Sequence, residues 1–124
     1  MPVITESNNL ADLLKYEADL LYSRDEVTVA SGQNLSLGTV VGIKTSDGKA
    51  RLLAPAATDG TEVAAGALLF PVNATSADTQ GVMVARHAIV ADTGLVWPSG
   101  ITAPQKTAAI AHLKSIGLLI RQGV

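Results

Sequence analysis

Residues 66–98 read GALLFPVNATSADTQGVMVARHAIVADTGLVWP, and this stretch decides the fold class. It holds two short apolar runs, Gly66–Val72 and Gly81–Ala91, with the polar segment Asn73–Gln80 between them. Apolar runs of this length that are bounded by turn residues are typical of buried strands rather than of helices. Strands at this spacing indicate a β-sandwich or a barrel-like body.

The sequence before this stretch continues the same pattern. Val27–Ala30 and Leu35–Ile43 are strand candidates, and Gly42 is placed at a bend or bulge. Asp47-Gly48 follows Gly42–Thr45 and precedes Ala50–Ala54, which predicts a β-hairpin with a type I′ turn. The first half of the body is therefore also predicted to be made of strands.

One helix is specified near the C-terminus. Thr102 and Gln105 have the spacing of a capping box, and Pro104 falls in the first turn, where its missing N–H costs nothing. Gly117 supplies a C-terminal stop, and residues 118–122 predict a closing strand. The face predicted to be buried consists of Ala109, Ile110, Leu113 and Ile116.

The N-terminal segment is ambiguous. Leucines recur at near-helical spacing in Ser7–Arg24, which favours a helix, while an extended arm that takes up structure against a partner is the alternative. The predicted fold is mixed α/β and strand-rich, with a compact sandwich or barrel-like body, one helix in the C-terminal region and an N-terminal arm. The predicted division is an arm over residues 1–25 and a body over residues 26–124.

The composition points away from chemistry and toward assembly. Hydrophobic residues make up 48% of the 124-residue chain and charged residues only 16%. A domain of this size buries a smaller fraction of its surface than a large one, so a surplus of apolar surface is expected to be covered by other copies or a partner. The net charge of −2 gives no electrostatic case for nucleic acid or an anionic membrane. No apolar run is long enough to span a bilayer.

Catalytic and metal-binding patterns are weak. Cysteine is absent, and neither His87 nor His112 has a second ligand at the short spacing of a metal site. Ser99, His87 and Asp92 supply the residue types of a hydrolytic triad, but no G-x-S-x-G elbow presents the serine. We therefore expect no enzyme activity, no metal and no cofactor. The N-terminus lacks a signal-peptide pattern, which predicts synthesis in a cytoplasm.

The order of motifs in the body resembles the lambda-type bacteriophage head decoration proteins. The resemblance covers residues 27 to the end and rests on their sequence and spacing, since each motif alone is unspecific. The motifs are Asp59-Gly60-Thr61, Gly66-Ala67-Leu68-Leu69, Arg86-His87-Ala88-Ile89-Val90, Leu95-Val96-Trp97-Pro98, the capped helix and Gly117-Leu118-Leu119-Ile120-Arg121.

This resemblance implies a homotrimer on the outer surface of the mature phage head, made in the bacterial host cytoplasm, that cements neighbouring capsomers. It also implies an N-terminal arm that binds the major capsid protein by adding a strand. Trp97 either fills the core or, with Pro98, anchors a trimer contact. Carried onto this chain, the candidate arm contacts are Leu10, Leu13, Leu14, Tyr16, Leu20, Leu21, Tyr22 and Arg24.

Two other functions remain open from the sequence alone. One is a small β-barrel module that binds a ligand or glycan, which usually needs an aromatic platform. The chain offers only Tyr16, Tyr22, Phe70 and Trp97 for that purpose. The other is a hydrolase built on Ser99, His87 and Asp92.

Overall fold

The computed structural model describes residues 13–17 and 23–122. Helix α1 spans Ala103–Ser115, and a single 3₁₀ turn spans Asp92–Gly94. The strands are β1 (Leu14–Glu17), β2 (Arg24–Val29), β3 (Gln33–Leu35), β4 (Val40–Ile43), β5 (Ala50–Leu52), β6 (Gly66–Leu68), β7 (Val72–Ala74), β8 (Thr79–Val84), β9 (Ala88–Ala91) and β10 (Leu118–Arg121).

Five of these strands close into a barrel in the order β2-β5-β4-β6-β8. Its longest pairing joins β2 and β8, which run antiparallel from Arg24 opposite Val84 to Val29 opposite Thr79. Gly42 lets the neighbouring loop lie directly against β4, because a Cβ there would sit 2.5 Å from the carbonyl oxygen of Thr61. The barrel is therefore packed too tightly at this point for any side chain.

A second, open sheet has the order β1-β9-β10. β1 pairs antiparallel with β9, and β10 pairs parallel with β9. Parallel neighbours need a long crossover, which α1 supplies between β9 and β10. β3 and β7 form a separate two-stranded ribbon.

Two apolar clusters hold the fold together. The larger joins the barrel to the open sheet and to α1, and the smaller fills the barrel and its β3–β7 flank. Fully buried members of the larger cluster are Leu13, Val40, Ala67, Leu69, Val84, Val90, Leu113 and Leu118. Fully buried members of the smaller are Val29, Val41, Ala50, Leu68 and Ala74.

The fold class and the C-terminal helix are confirmed. The Thr102 hydroxyl accepts the Gln105 amide at 3.3 Å, and the Gln105 side chain accepts the Thr102 amide at 3.0 Å, which completes the capping box. Gly117 follows the helix with a φ of 91°, in the left-handed region that favours glycine. On the predicted face, Ala109 and Leu113 are buried, while Ile110 and Ile116 are partly buried.

The helix favoured for Ser7–Arg24 is wrong over Leu14–Glu17, which is a strand, whereas the flanking Leu13 and Ser23 are helical. The backbone of this strand pairs with β9, and Leu13 and Leu14 pack into the larger cluster. Leucine spacing alone does not reveal a distant strand edge that can satisfy the backbone and bury the same side chains. The predicted boundary after residue 25 falls inside β2.

Four predicted strand details also differ from the structure. Leu35–Ile43 is two strands with a break that contains Gly38, Gly66–Val72 is divided between β6 and β7, and Gly81–Ala91 is broken around His87. The hairpin between β4 and β5 is present, but its loop is longer than a two-residue type I′ turn, since Lys44 bonds across to Lys49. Gly48 has a φ of 69°, whereas a type I′ turn needs positive φ at both central residues and Asp47 does not have it.

The apolar surplus is smaller than the composition predicted. Among the described residues, only three large hydrophobic side chains are exposed: Tyr16, Val63 and Phe70. The two clusters take up most of the remaining apolar side chains, because small aliphatic residues pack densely between thin layers. Any partner surface must therefore be sought at a few defined places rather than across the whole body.

Candidate interaction surfaces

The predicted arm contacts divide into three groups. Leu10, Leu20, Leu21 and Tyr22 lie outside the described residues. Leu13 and Leu14 belong to the larger cluster, so in this structure their side chains pack against the body. Tyr16 is 58% exposed and is available for contact.

Arg24, also predicted as an arm contact, forms an ion pair that joins β2 to β1. Its Nε lies 3.1 and 3.2 Å from the two carboxylate oxygens of Glu17, and its terminal nitrogen lies 2.6 Å from one of them. These hydrogen bonds raise the pKa of the Arg24 guanidinium, and the charge of Glu17 adds to the effect. A bidentate pair of this kind fixes orientation as well as charge. The pair therefore holds β1 beside the start of the barrel.

A β-bulge gives Tyr16 its exposed position. Leu14 lies opposite Val90 and Tyr16 lies opposite Ile89, so two steps along β1 match one step along β9. A bulge of this kind re-aims the side chains that follow it. Leu14 packs into the core, while Tyr16 stands on the other face beside the half-exposed Ile89.

Leu119 of β10 extends this pair across the sheet. It lies opposite Ile89 from the other side and is itself half-exposed. Tyr16, Ile89 and Leu119 thus form one row across all three strands of the open sheet, which we call the apolar row. Sequence reasoning missed Ile89 and Leu119 because their neighbours on this face come from distant segments, and only the strand register brings them together.

A shallow depression of about 230 Å³ lies along this row. It is lined by the apolar row together with His87, Ala88 and Gly117. His87 has a φ of 54°, an uncommon backbone conformation for a residue with a side chain. Gly117 makes room for it, since a Cβ there would lie 3.1 Å from the His87 ring and 3.2 Å from its backbone nitrogen. The turns before β9 and β10 therefore close one end of the depression.

Trp97 and Pro98 lie after the 3₁₀ turn and are both half-buried. The indole packs against the larger cluster but is only partly buried, which is compatible with both interpretations of Trp97. The ammonium of Lys106 lies 5.5 Å from the ring centroid, within cation–π range. The indole Nε1 is buried and has no acceptor among the described residues. A buried donor without a partner costs stability, which marks this as an unusual point of the core.

A larger groove lies between α1 and the rim of the barrel. It has a volume of about 510 Å³, and the Asp25–Arg86 ion pair, with a 2.5 Å contact, lies on its wall. A second groove of about 260 Å³ shares Val63 and His112 with it. Both grooves are open and have mixed polar and apolar walls, so their shape alone does not indicate an occupant.

The geometry does not support the hydrolytic triad. His87 precedes β9 and Asp92 follows it, and at the usual rise per residue the strand separates their Cα atoms by roughly 15 Å. Within residues 13–17 and 23–122, no three His, Asp or Glu residues group as metal ligands would. In the same part of the chain, no helix has the length and hydropathy needed to cross a membrane.

Comparison with known proteins identifies the family. The family model described as bacteriophage lambda head decoration protein D matches residues 3–118. A search of curated proteins returns no significant match. Since the family match spans nearly the whole chain, this protein belongs to the bacteriophage lambda head decoration protein D family, whose role is structural, in the phage capsid.

Proposed function

We propose that this chain acts as a homotrimer on the outer surface of the mature phage head, where it cements neighbouring capsomers without catalysis. The single observation that carries the proposal is the family match over residues 3–118. The fold is compatible with such a role, because a closed barrel and a capped helix form a folded body that does not depend on the proposed arm.

The N-terminal arm is proposed to bind the major capsid protein by strand addition. In this mode main-chain hydrogen bonds supply affinity and alternate side chains supply specificity. The body begins at Leu13, so the proposed arm is the segment before it, with Leu10 as its leucine contact. Leu20, Leu21 and Tyr22, which lie between β1 and β2 in sequence, remain proposed contacts.

Trimerisation would compensate for weak binding of each arm to the capsid. Ordering an extended arm costs conformational entropy, so one arm alone should bind weakly. Three linked arms raise the overall affinity by about 10²- to 10⁴-fold when all reach their sites together. Trp97 and Pro98 are the proposed contact between copies, supported by their half-burial on the surface of the larger cluster.

The ligand- or glycan-binding alternative has less support. Glycan sites usually stack the sugar on aromatic side chains, and of the three grooves described above only the depression on the open sheet contains one, Tyr16. Its volume of about 230 Å³ is below the usual range for small-molecule sites.

Deletion of residues 2–12 tests the arm. A longer deletion to residue 25 would remove β1 and part of β2, so it would confound binding with folding. Heads assembled from the cognate major capsid protein, expanded and free of decoration protein, are incubated with each variant and pelleted. We expect the full chain to have the mass of three copies and to pellet with heads. The truncated chain should have the mass of three truncated copies and remain in the supernatant.

A matched pair of substitutions refines this test. Leu10→Asp replaces an apolar arm residue by a charge, and Asn8→Asp adds the same charge two residues away at a polar position. We expect only Leu10→Asp to weaken binding. A monomeric full chain would contradict the trimer, and undiminished binding by the truncated chain would contradict the arm.

A further inference from the structure

We infer that the outward face of the open sheet is a second contact with the capsid shell, on which an extended apolar segment of the major capsid protein lies across the apolar row. This inference rests on the proposed function, since it assumes that the chain binds the head. The proposed capsid contact of the N-terminal arm is thereby extended to a surface of the folded body.

The first argument is that a β-bulge, and not the regular alternation of a strand, places Tyr16 in the apolar row. Regular alternation along β1 would place Leu14 and Tyr16 on the same face of the sheet. The bulge at Lys15 places Leu14 in the core and Tyr16 on the outward face, opposite Ile89. At 58% exposure, Tyr16 is the most exposed large hydrophobic residue that the structure describes. A large aromatic group held on a rigid strand is typical of a protein contact.

The second argument is that the face is concave and pre-formed. The depression is bounded by the apolar row and by His87, whose left-handed backbone is accommodated by the bare Cα of Gly117. Strained conformations of this kind cost energy and persist where the surrounding structure holds them. Its volume of about 230 Å³ suits one inserted side chain better than a separate small molecule.

The third argument identifies the occupant. Residues 1–12 lead directly into Leu13, and Leu14 starts β1, the strand that carries Tyr16. Twelve extended residues span roughly 40 Å, so an arm bound to the shell keeps this sheet within that distance of the shell. β1 and β10 are the outer strands of the sheet in the described part of the chain, so an extended segment that crosses the row meets no further strand of this sheet at either end.

Charge substitution within the row tests the inference. Tyr16→Asp and Leu119→Asp place a carboxylate on the proposed contact, while Phe70→Asp makes the same change at an exposed apolar residue in the loop after β6. Each variant keeps its full N-terminal arm. Binding to decoration-free expanded heads is measured by titration, the mass of each variant is measured in solution, and folding is checked by thermal unfolding.

We expect Tyr16→Asp and Leu119→Asp to remain trimeric and to bind heads at least about tenfold more weakly, because a charge would be buried in an apolar contact. Phe70→Asp should bind like the unmodified chain. Tyr16→Ser serves as a second variant, since an exposed position tolerates serine without loss of folding and should still lose affinity.

The outcomes separate this inference from the proposed function. If removal of residues 2–12 abolishes binding while Tyr16→Asp and Leu119→Asp bind normally, the row is not a capsid contact and the arm proposal stands. If the row variants become monomeric, the row joins copies of this chain, and the capsid protein is the wrong occupant. If the unmodified chain does not bind heads, both the proposed function and this inference fail.

Discussion

The closed barrel and the open sheet differ in how completely they cover their strand edges and their apolar side chains. In the barrel, β2-β5-β4-β6-β8 returns on itself and leaves no sheet edge. In the open sheet, β1 and β10 are outer strands and carry half-exposed or exposed apolar residues on the outward face. The comparison teaches that closure removes every edge from the barrel, whereas the open sheet buries one face in the larger cluster and leaves apolar side chains exposed on the other.

The strongest test of this contrast is Gly42→Ala in the barrel. The added Cβ would lie 2.5 to 2.8 Å from three backbone atoms of Thr61, and backbone cannot give way as a flexible side chain can. We expect the free energy of unfolding to fall by about 3 kcal/mol, at the upper end of the usual cost of overpacking. Chemical denaturation of the isolated protein measures it.

Gly32→Asn is the matched control for that substitution. Gly32 has a φ of 91° and nothing within 4 Å of a Cβ, and asparagine tolerates the left-handed region better than most residues. If the free energy of unfolding falls little for Gly32→Asn and strongly for Gly42→Ala, the barrel is tightly packed at Gly42. Equal effects at the two positions would contradict it, because only Gly42 is crowded and only Gly32 has a positive φ.

Thr102→Ala tests the helix that connects two strands of the open sheet, and we expect it to destabilise the fold less than Gly42→Ala. α1 carries the chain from β9 to β10, and the capping box at Thr102 satisfies two of its first backbone groups. Loss of the cap should reduce the free energy of unfolding by about 1 kcal/mol. Thr107→Ala, at an exposed position inside the same helix, should have no such cost because alanine is the better helix former. Equal destabilisation of both variants would contradict the role of the cap.

The smallest expected effect is a loss of folding stability at acidic pH, which comes from two carboxylates in the loops around the barrel. Hydrogen bonds from the Thr61 hydroxyl and amide lower the pKa of Asp59. A hydrogen bond from Lys49 lowers the pKa of Asp78, and the Ser31 amide adds to it. A carboxylate whose pKa is lower in the folded state stabilises fully above its unfolded pKa of about 3.9. That contribution is lost as the pH falls through the folded value.

Amide chemical shifts of Thr61 and Ser31 report this titration directly. We expect the midpoint of both changes to lie below about pH 3.9, the unfolded-state value. The Thr102 amide, which donates to the uncharged Gln105 side chain, should not change with them. A midpoint for Thr61 at or above 3.9 would contradict the stated direction. Because these carboxylates are exposed, salt should weaken the effect.

Local sequence signals predicted the elements that depend on near neighbours. The capping box of α1, the glycine stop after it and the strand character of Val27 and of β10 all follow from contacts within a few residues. The same signals failed where a distant partner decided the outcome. Leucine spacing favoured a helix at Leu14, but the edge of β9, more than seventy residues later, pairs with that segment as a strand.

The candidate sites show the same division. Trp97 was identified from the sequence because it is the single tryptophan of an aromatic-poor chain, and Tyr16 because the resemblance placed it in the arm. Ile89 and Leu119 were not, because an aliphatic residue in a strand gives no sign of which face it occupies. His87 and Asp92 looked like possible partners in sequence, and the length of β9 separates them.

By itself, the sequence determined that this protein is a strand-rich body with one capped helix, and its motif order pointed to the decoration-protein family. Tertiary structure alone decided that Leu14–Glu17 joins β9, that the bulge at Lys15 turns Tyr16 outward, and that Ile89 and Leu119 lie beside it. The physical reason is that turns, caps and apolar runs act over a few residues, whereas strand register depends on a partner that the chain reaches only when it folds.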